Sequence, residues 1–566
     1  MKTSRPTIAV YGIQDRNAYP YPGFTHDHSI CRMEGGQITH YLQLERWTRR
    51  KYDNQMPQHI EDILDQKLVP FTPETDLVFV NSFVGSSFLS QNGRIRFEHQ
   101  PQKTLTPGLS PGYGWIEAEL WEGQEQMAFS IDHELAHVSA NLPFHGPFRE
   151  NSLLVHFDGG ASLGNFSAYL YRRGKLEILE YHWELAQLSK FFNDNALSFA
   201  LLNHGPGEHC AVPGKLMGFA TMGKSQKELQ AWLRAHHWFR DIWQDPAPFY
   251  TAARADYGWE GKLGDTRDPF LQNLAACIQA EFQEKWYSYL QELQARVGAD
   301  FLYLSGGCAL NIVANTEIIQ SGLFQEAFIP PCPGDSGLSI GAAAFLEWQK
   351  HGHIAQHTPY LNNAGLPESS ANWDTELVRQ LAAALARGEI IGLHQGPGEA
   401  GPRALGNRSI LARPDSRALA QKVSMDCKGR EWYRPIAPVM LEKHARRLTG
   451  LSHIHPLSRY MLLDFDILPA HQEEVAGVVH ANGTARIQTL FGPDDNPFLW
   501  ALLNHLDEVH HIPALINTSF NRRGEPIVHT TDQARESAEC MGLDGLVLNY
   551  AYYPLTSKQH HELERH

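Results

Sequence analysis

Four groups of residues have types and spacings that could do chemistry. The first is His133-Glu134-Leu135-Ala136-His137. Its segment reads as helix, where residues four apart share a face, so two imidazoles can meet one cation. Taken literally it is H-E-x-x-H, the zinc-peptidase pattern with Glu134 as base. That reading needs a third ligand and a substrate cleft, and it leaves the other groups without a use. The second group is Asp158-Gly159-Gly160, at the end of a buried strand, with Asp335 in Pro333-Gly334-Asp335-Ser336-Gly337. Carboxylates at strand ends beside glycines are where nucleotide-linked metals are commonly held in α/β folds. His133, His137, Asp158 and Asp335 would form a mixed N/O site. Such a site suits a divalent transition metal better than calcium and could clamp the phosphates of ATP.

The third group consists of glycine turns. Leu304-Ser305-Gly306-Gly307-Cys308-Ala309-Leu310-Asn311 runs from strand into helix. Gly306 and Gly307 would let the backbone approach a phosphate or sugar, and the helix start beside Asn311 offers free N–H groups. Gly214-Lys215-Leu216-Met217-Gly218 lacks the Walker A spacing, yet Lys215 is expected to line the same nucleotide pocket.

The fourth group is basic. Arg403 and Arg408 stand in Gly401-Pro402-Arg403-Ala404-Leu405-Gly406-Asn407-Arg408-Ser409. Lys428, Arg430 and Arg434 follow among aromatics, Arg486 ends the turn His480-Ala481-Asn482-Gly483, and Asn517 and Ser519 leave a strand with an amide and a hydroxyl. The net charge of the chain is −15. In so acidic a chain, cations gathered in these segments suggest a pocket for a small anion, because Arg grips phosphate bidentately and Lys adds a point charge.

The elements that must position these groups read as α/β. Buried strands are expected at Thr7–Gly12, Asp76–Asn81, Ser152–Phe157 and Phe301–Leu304, and hairpins at Ser29–Arg46 and Phe166–Glu180. Helices are expected at Leu271–Val297, Ala309–Gln320 and Gly341–Trp348. The Pro-, Gly- and Asn-containing stretch His351–Trp373 reads as a boundary, dividing the chain into residues 1–355 and 370–566. Beyond it come a helix at Thr375–Ala386 and strands at Glu389–His394, Tyr460–Phe465, Ala485–Leu490 and Ala514–Asn517. No exact internal repeat is visible, and the terminal HHELERH reads as a frayed tail.

The 566 residues require two or more domains, and 42% hydrophobic with 20% charged residues is ordinary globular composition. The acidic charge argues against bulk nucleic-acid or anionic-membrane binding. Seven scattered cysteines without a CxxC pair fit reduced thiols in the cytoplasm. The N-terminal segment turns polar too soon for a secretory signal, and no uncharged stretch could span a bilayer.

The blocks GPRALGNRSIL, KGREWYRP and NTSFN, in this order, resemble the O-carbamoyltransferases of antibiotic biosynthesis and nodulation. The resemblance covers nearly the whole chain, beginning at Thr25-His26-Asp27-His28-Ser29. It implies an N-terminal domain of the actin/sugar-kinase/Hsp70 type, similar to the threonylcarbamoyladenosine-transfer enzymes, and a YrdC-like α/β C-terminal domain. It further implies a metal on His133, His137, Asp158 and Asp335, iron in many relatives, with zinc, manganese or magnesium as alternatives. Arg403, Lys428, Arg434, Arg486, Asn517 and Ser519 would bind carbamoyl phosphate and the adenylate. The implied reaction makes carbamoyl adenylate from carbamoyl phosphate and ATP, then passes the carbamoyl group to a small-molecule hydroxyl, with His26 as general base. Two stretches depart from the family pattern: Asp158-Gly159-Gly160-Ala161-Ser162, and Val423-Ser424-Met425-Asp426-Cys427 before Lys428. The competing readings are the zinc peptidase and a non-catalytic ATP-binding regulator. The acceptor and the oligomeric state, a homodimer included, stay open.

Overall fold

The computed structural model describes residues 5–13, 25–82, 87–98, 112–120, 124–184, 196–204, 210–367 and 372–555; the expected C-terminal tail lies outside them. The apolar run Thr7–Tyr11 is strand β1, buried throughout. It continues into the hairpin β2 (Ser29–Glu34) and β3 (Gln37–Gln43), whose turn glycines Gly35 and Gly36 both take positive φ. Next come β4 (Asp76–Val80), β5 (Ser87–Leu89), β6 (Ile95–Glu98), β7 (Tyr113–Leu120) and β8 (Gln124–Ile131). A second sheet holds β9 (Ser152–Phe157), β10 (Phe166–Arg172), β11 (Lys175–His182), β12 (Phe301–Ser305) and β13 (Glu326–Phe328).

The two sheets repeat one plan. In the first, β3-β2-β1 are antiparallel neighbours, and β1-β4-β8 run parallel. In the second, β11-β10-β9 are antiparallel and β9-β12-β13 parallel. This duplicated topology is the actin/sugar-kinase/Hsp70 architecture, and no repeat of residues accompanies it. The helix Leu338–His351 crosses the first sheet beneath the helix His133–Ser139. Gly341 makes that crossing close, since a Cβ there would lie 1.8 Å from the Ala136 carbonyl oxygen.

A third, mixed α/β unit follows. After β14 (Tyr360–Asn362) come β15 (Ile391–His394), β16 (Gly398–Glu399), β17 (Arg408–Ala412) and β18 (Ala437–Leu441). Then come β19 (Phe465–Asp466), β20 (Thr484–Ala485), β21 (Gln488–Leu490), β22 (Ala514–Ser519), β23 (Gly545–Leu548) and β24 (Ala551–Pro554). The sheet order is β21-β18-β22-β17-β15-β23-β24, with the helices Thr375–Ala386 and Pro497–His510 packed together over a cluster that includes Leu381, Leu393, Leu502 and Leu515.

Three sequence expectations need correction or refinement. Tyr460–Phe465 is not a strand. Pro456 opens a 3-10 turn capped by the His455 side chain, and Met461 takes positive φ, so only Phe465–Asp466 pairs. Ala485–Leu490 is two short strands, β20 and β21, parted at Arg486. Finally, β16 joins the first sheet through β14 although it lies beyond residue 370. The halves share a core as well: one apolar cluster holds Leu153 and Leu271 together with Ile410, Ile516 and Phe520. Buried Arg46 donates to the Gly401 carbonyl at 2.8 Å, and Asn315 to that of Leu462 at 3.1 Å.

Candidate functional site

Strand direction gathers the first centre. The ends of β1, β8, β9 and β12 that carry Tyr11, the His133–Ser139 helix, Asp158 and Gly306 all lie at C-terminal strand ends of the two matching sheets, and the antiparallel β2 begins at the same end. Ligands of open α/β sheets gather at such ends. His133 and His137, both buried, bring their Nε2 atoms to 2.9 Å. Asp335 Oδ1 stands 3.6 Å from His133 Nε2 and 3.4 Å from His137 Nε2, and Asp158 Oδ2 stands 3.6 Å from His137 Nε2. The Tyr11 hydroxyl donates to Asp335 Oδ2 at 2.7 Å. Burial opposes ionisation of Asp335, yet His26 and His133 outweigh it and hold its carboxyl well below the usual range.

Distances test whether these residues suit a divalent cation. Two donors about 2.1 Å from one ion and at right angles lie about 3 Å apart. The imidazole pair at 2.9 Å fits that arrangement, as it also fits an N–H···N hydrogen bond. The carboxylate oxygens, at 3.4 and 3.6 Å from His137 Nε2, fit somewhat wider ligand angles. The donor set of imidazoles and carboxylates suits an ion of the borderline class. Glu134 takes no part. It is fully buried, and its Oε1 accepts from the backbone N–H groups of Leu163 and Gly164, the latter at 3.1 Å. Its Oε2 has no partner among the described residues but is shut away from solvent, so the peptidase reading has no base open to water here.

His26 lies at the rim, half-buried, with Nδ1 2.9 Å from Asp27 Oδ2 and 4.0 Å from Asp335 Oδ2. Burial opposes its charge, but Cys210, Asp335 and Asp27 hold its pKa well above the usual imidazole value.

The nucleotide set divides. Gly307 N–H donates to Asp158 Oδ2 at 2.6 Å, so the glycine turn abuts the His/Asp cluster. Gly306, at φ +90°, sits where a Cβ would lie 2.2 Å from the Phe157 carbonyl oxygen. Asn311 is engaged differently from expectation. Its Oδ1 caps the helix Ile312–Gln320 through Ala314 N–H at 3.1 Å, and its amide exchanges hydrogen bonds with Gln279. Lys215 has polar partners of its own. It lies in the helix Val212–Ala220 and reaches the C-terminal unit, pairing with Glu431 at 3.0 Å beside His204. The flanking Gly218 packs on Pro435, where a Cβ would lie 3.1 Å from the proline Cδ, whereas a Cβ at Gly214 would meet open space.

The second centre lies at one end of the third sheet. There β22 ends while its antiparallel neighbours β17 and β18, and β21 beside β18, begin. The loops there carry Arg403, Lys428, Arg430, Arg434 and Arg486. Burial and mutual repulsion depress the cations: Arg403 through Arg486, Arg434 and Arg430; Lys428 through Arg430 and Arg434; Arg430 through Arg434 and Arg486. Arg486 is lowered to about 10. The Nε atoms of Arg403 and Arg486 have no hydrogen-bond partner among the described residues. Lys428 Nζ donates to the Ser519 carbonyl and, at 2.8 Å, to that of Asn521, and Arg430 reaches Ser519 Oγ at 3.4 Å. Asn517 donates to the Ala404 carbonyl at 3.2 Å, pinning the Arg403 loop. Arg408 is different: it is fully buried and donates to the carbonyls of Gln395, Gly396 and His529.

The two centres adjoin. Burial lowers the Lys51 pKa, Glu45 and Asp27 oppose the drop, and Arg434 and Arg430 add to it, so charges of both centres act on this one lysine. Its neighbour Tyr52 stands 6.4 Å, ring to ring, from His26.

Models of the carbamoyltransferase N-terminus and C-terminus match residues 119–344 and 382–554. Nodulation protein NolO of Bradyrhizobium diazoefficiens is 32% identical over 453 residues, covering 74% of this chain and 78% of that protein. The chain belongs to the carbamoyltransferase family. Nodulation protein NolNO of Sinorhizobium fredii is 26% identical over 569 residues, covering 93% of this chain and 78% of that protein. Full-length HypF in its phosphate- and nucleotide-bound form is 14% identical, covering 61% of this chain and 55% of that one. Its TM-score of 0.33 is too low to bear on the fold, which rests on the strand order. No helix among the described residues is long and apolar enough to cross a membrane.

In this carbamoyltransferase-family chain, both centres hold residues the motifs did not single out. Asn521 joins the basic recess through Lys428 Nζ, and it was visible as the last residue of the NTSFN block. Tyr11 ends β1, and His156 interrupts the apolar run of β9. A polar side chain inside a buried strand was the available signal for each.

Proposed function

We propose that the chain is an ATP-dependent O-carbamoyltransferase that makes carbamoyl adenylate in the C-terminal recess and transfers its carbamoyl group at the His/Asp centre. The acceptor is a hydroxyl of a small molecule: a natural product, a sugar or a nucleoside. Residues 1–355 would carry the transfer step and residues 370–566 the activation, in a cytoplasmic enzyme.

The carrying observation is the recess itself, where burial, with Arg434 adding to it each time, lowers the pKa values of Arg403, Lys428, Arg430 and Arg486, and none of the four makes an ion pair with a carboxylate among the described residues. Uncompensated cations in a shared recess favour a polyanion. Atom balance sets the steps. Water takes the phosphoryl group of carbamoyl phosphate, releasing phosphate and leaving carbamate. A carbamate oxygen then bonds the α-phosphorus of ATP, and pyrophosphate leaves. The recess cations neutralise the charge that moves between these oxygens. In the second step the acceptor oxygen bonds the carbamoyl carbon and AMP leaves.

His133, His137, Asp158 and Asp335 would hold a divalent metal, iron before zinc, manganese or magnesium, which when bound supplies Lewis-acid charge to a phosphate oxygen. Asp27 holds His26 through Nδ1 and helps raise its pKa, so only the deprotonated imidazole, favoured as pH rises, would accept the acceptor's proton at Nε2. Gly306 and Gly307 would let the adenylate approach Asp158. That charges of both centres act on Lys51 supports transfer of the adenylate between them.

The test is mass-spectrometric detection of carbamoyl adenylate from ATP and carbamoyl phosphate, with Lys428→Ala and Arg486→Ala alongside. Both variants should lose the product. If both retain it, the recess is not the activation site. A regulator that only binds ATP would yield no adenylate even as the wild type.

A further inference from the structure

We infer that His156 is a third imidazole donor of the His/Asp metal centre. The inference rests on the reading of that centre as a metal site. Along β9 side chains alternate: Leu153, Val155 and Phe157 face one apolar cluster, while Leu154 faces the other. His156 shares the face of Leu154, and Asp158, two residues on, continues it toward His137.

Three observations converge. His156 is fully buried. Neither of its ring nitrogens has a hydrogen-bond partner among the described residues. Its ring stacks on that of His137, with centroids 4.9 Å apart and planes 23° apart, and lies 6.0 Å from that of His133. One donor atom each from His133, His137 and His156 can be chosen so that all lie within 4.8 Å of one another. A buried imidazole without a protein partner is unfavourable in a strand that is otherwise apolar. A cation beside it removes that disadvantage, because the ligating nitrogen gives its lone pair to the ion. Three imidazoles with two carboxylates shift the donor set toward nitrogen. Such a set favours Fe2+, Co2+ or Zn2+ over Mg2+, which prefers oxygen.

The test uses the full chain, stripped with a chelator and reloaded with Co2+, Zn2+, Mg2+ or Cu2+ alone. Wild type, His156→Asn, His156→Leu and His137→Ala are compared. Elemental analysis gives stoichiometry, chelator competition gives affinity, and pulsed EPR of the Cu2+ form counts coordinated imidazoles. The wild type should hold one ion on three imidazoles. Both His156 variants should hold it on two, at least about ten-fold more weakly, by the scale of perturbed metal sites. Mg2+ should compete poorly. A wild-type count of two imidazoles overturns the inference, as does unchanged affinity in both His156 variants, and either result leaves the metal centre standing. A wild type that binds no ion, like His137→Ala, overturns the metal reading itself. If the variants fail to fold, the wild-type imidazole count decides alone.

Discussion

Removing one cation from the basic recess should make the protein more stable and less able to hold its donor. Arg486→Met retains much of the side chain's apolar stem and deletes the charge. The Arg486 guanidinium falls from 12.5 to about 10, mainly by burial, with Arg434 adding to the effect. The folded value lies below the unfolded one. The folded chain therefore carries this charge at a disadvantage at every pH below about 10, and the disadvantage fades as pH climbs toward 12.5. At about 1.4 kcal/mol per pH unit the drop corresponds to about 3 kcal/mol. The recess remains partly open to water, so about 2 kcal/mol is the gain expected at neutral pH. For a domain of this size that raises Tm by about 4–8 °C. Loss of one charged hydrogen-bonding partner, about 1.5–3 kcal/mol, weakens phosphate binding by about ten- to a hundred-fold. Thermal unfolding of wild type and variant, with and without inorganic phosphate or carbamoyl phosphate, reads both effects. The wild type should start lower and rise with ligand; Arg486→Met should start higher and respond little. A variant that melts below the wild type and keeps the full response to phosphate would refute the reasoning, making Arg486 a structural cation.

Two further outcomes follow from the same geometry. Burial, aided by Asp466, pushes the Asp464 carboxyl from 3.8 to about 6 against Thr484 and Arg486. The unfolded chain thus ionises first as pH rises, and stability falls across about pH 4–6 and stays lower above it. Asp464→Asn should stabilise the protein by up to about 3 kcal/mol at pH 8 and change little at pH 4; equal shifts in Tm at both would contradict this. Glu134→Gln keeps an oxygen for the Leu163 and Gly164 N–H groups and should lose about 1–2 kcal/mol of stability while keeping carbamoyl transfer. A folded, metal-loaded Glu134→Gln without transfer would return Glu134 to a catalytic role.

Much of the local structure was legible. Thr7–Tyr11 and Ser152–Phe157 read as buried strands because their apolar runs have no other stable home, and Gly35-Gly36 marked its turn because both adopt positive φ. The strand expected at Tyr460–Phe465 failed because Pro456 and the His455 cap commit those residues to a turn, which competes locally with pairing. The surroundings of Lys215 were not legible, for a different reason. Glycines on either side of a lysine look alike in a phosphate loop and in a helix that packs closely, and only the approach of Pro435 to Gly218 distinguishes them. The duplicated sheet plan was invisible because strand order constrains direction and pairing, not residue identity.

By itself the sequence determined which chemistry was available: imidazoles four apart on a helix, carboxylates beside glycines, and cations in loops of an acidic chain. It did so because spacing along a helix or strand sets the face a side chain occupies. Only the tertiary structure decided which groups meet. Asp335 reaches His133 and His137 because the Gly341 crossing lets two helices approach closely, and the three basic loops converge because β17, β18 and β21 begin, and β22 ends, at one end of the sheet. Charge strength depends on burial and neighbours, and these exist only after distant segments have packed.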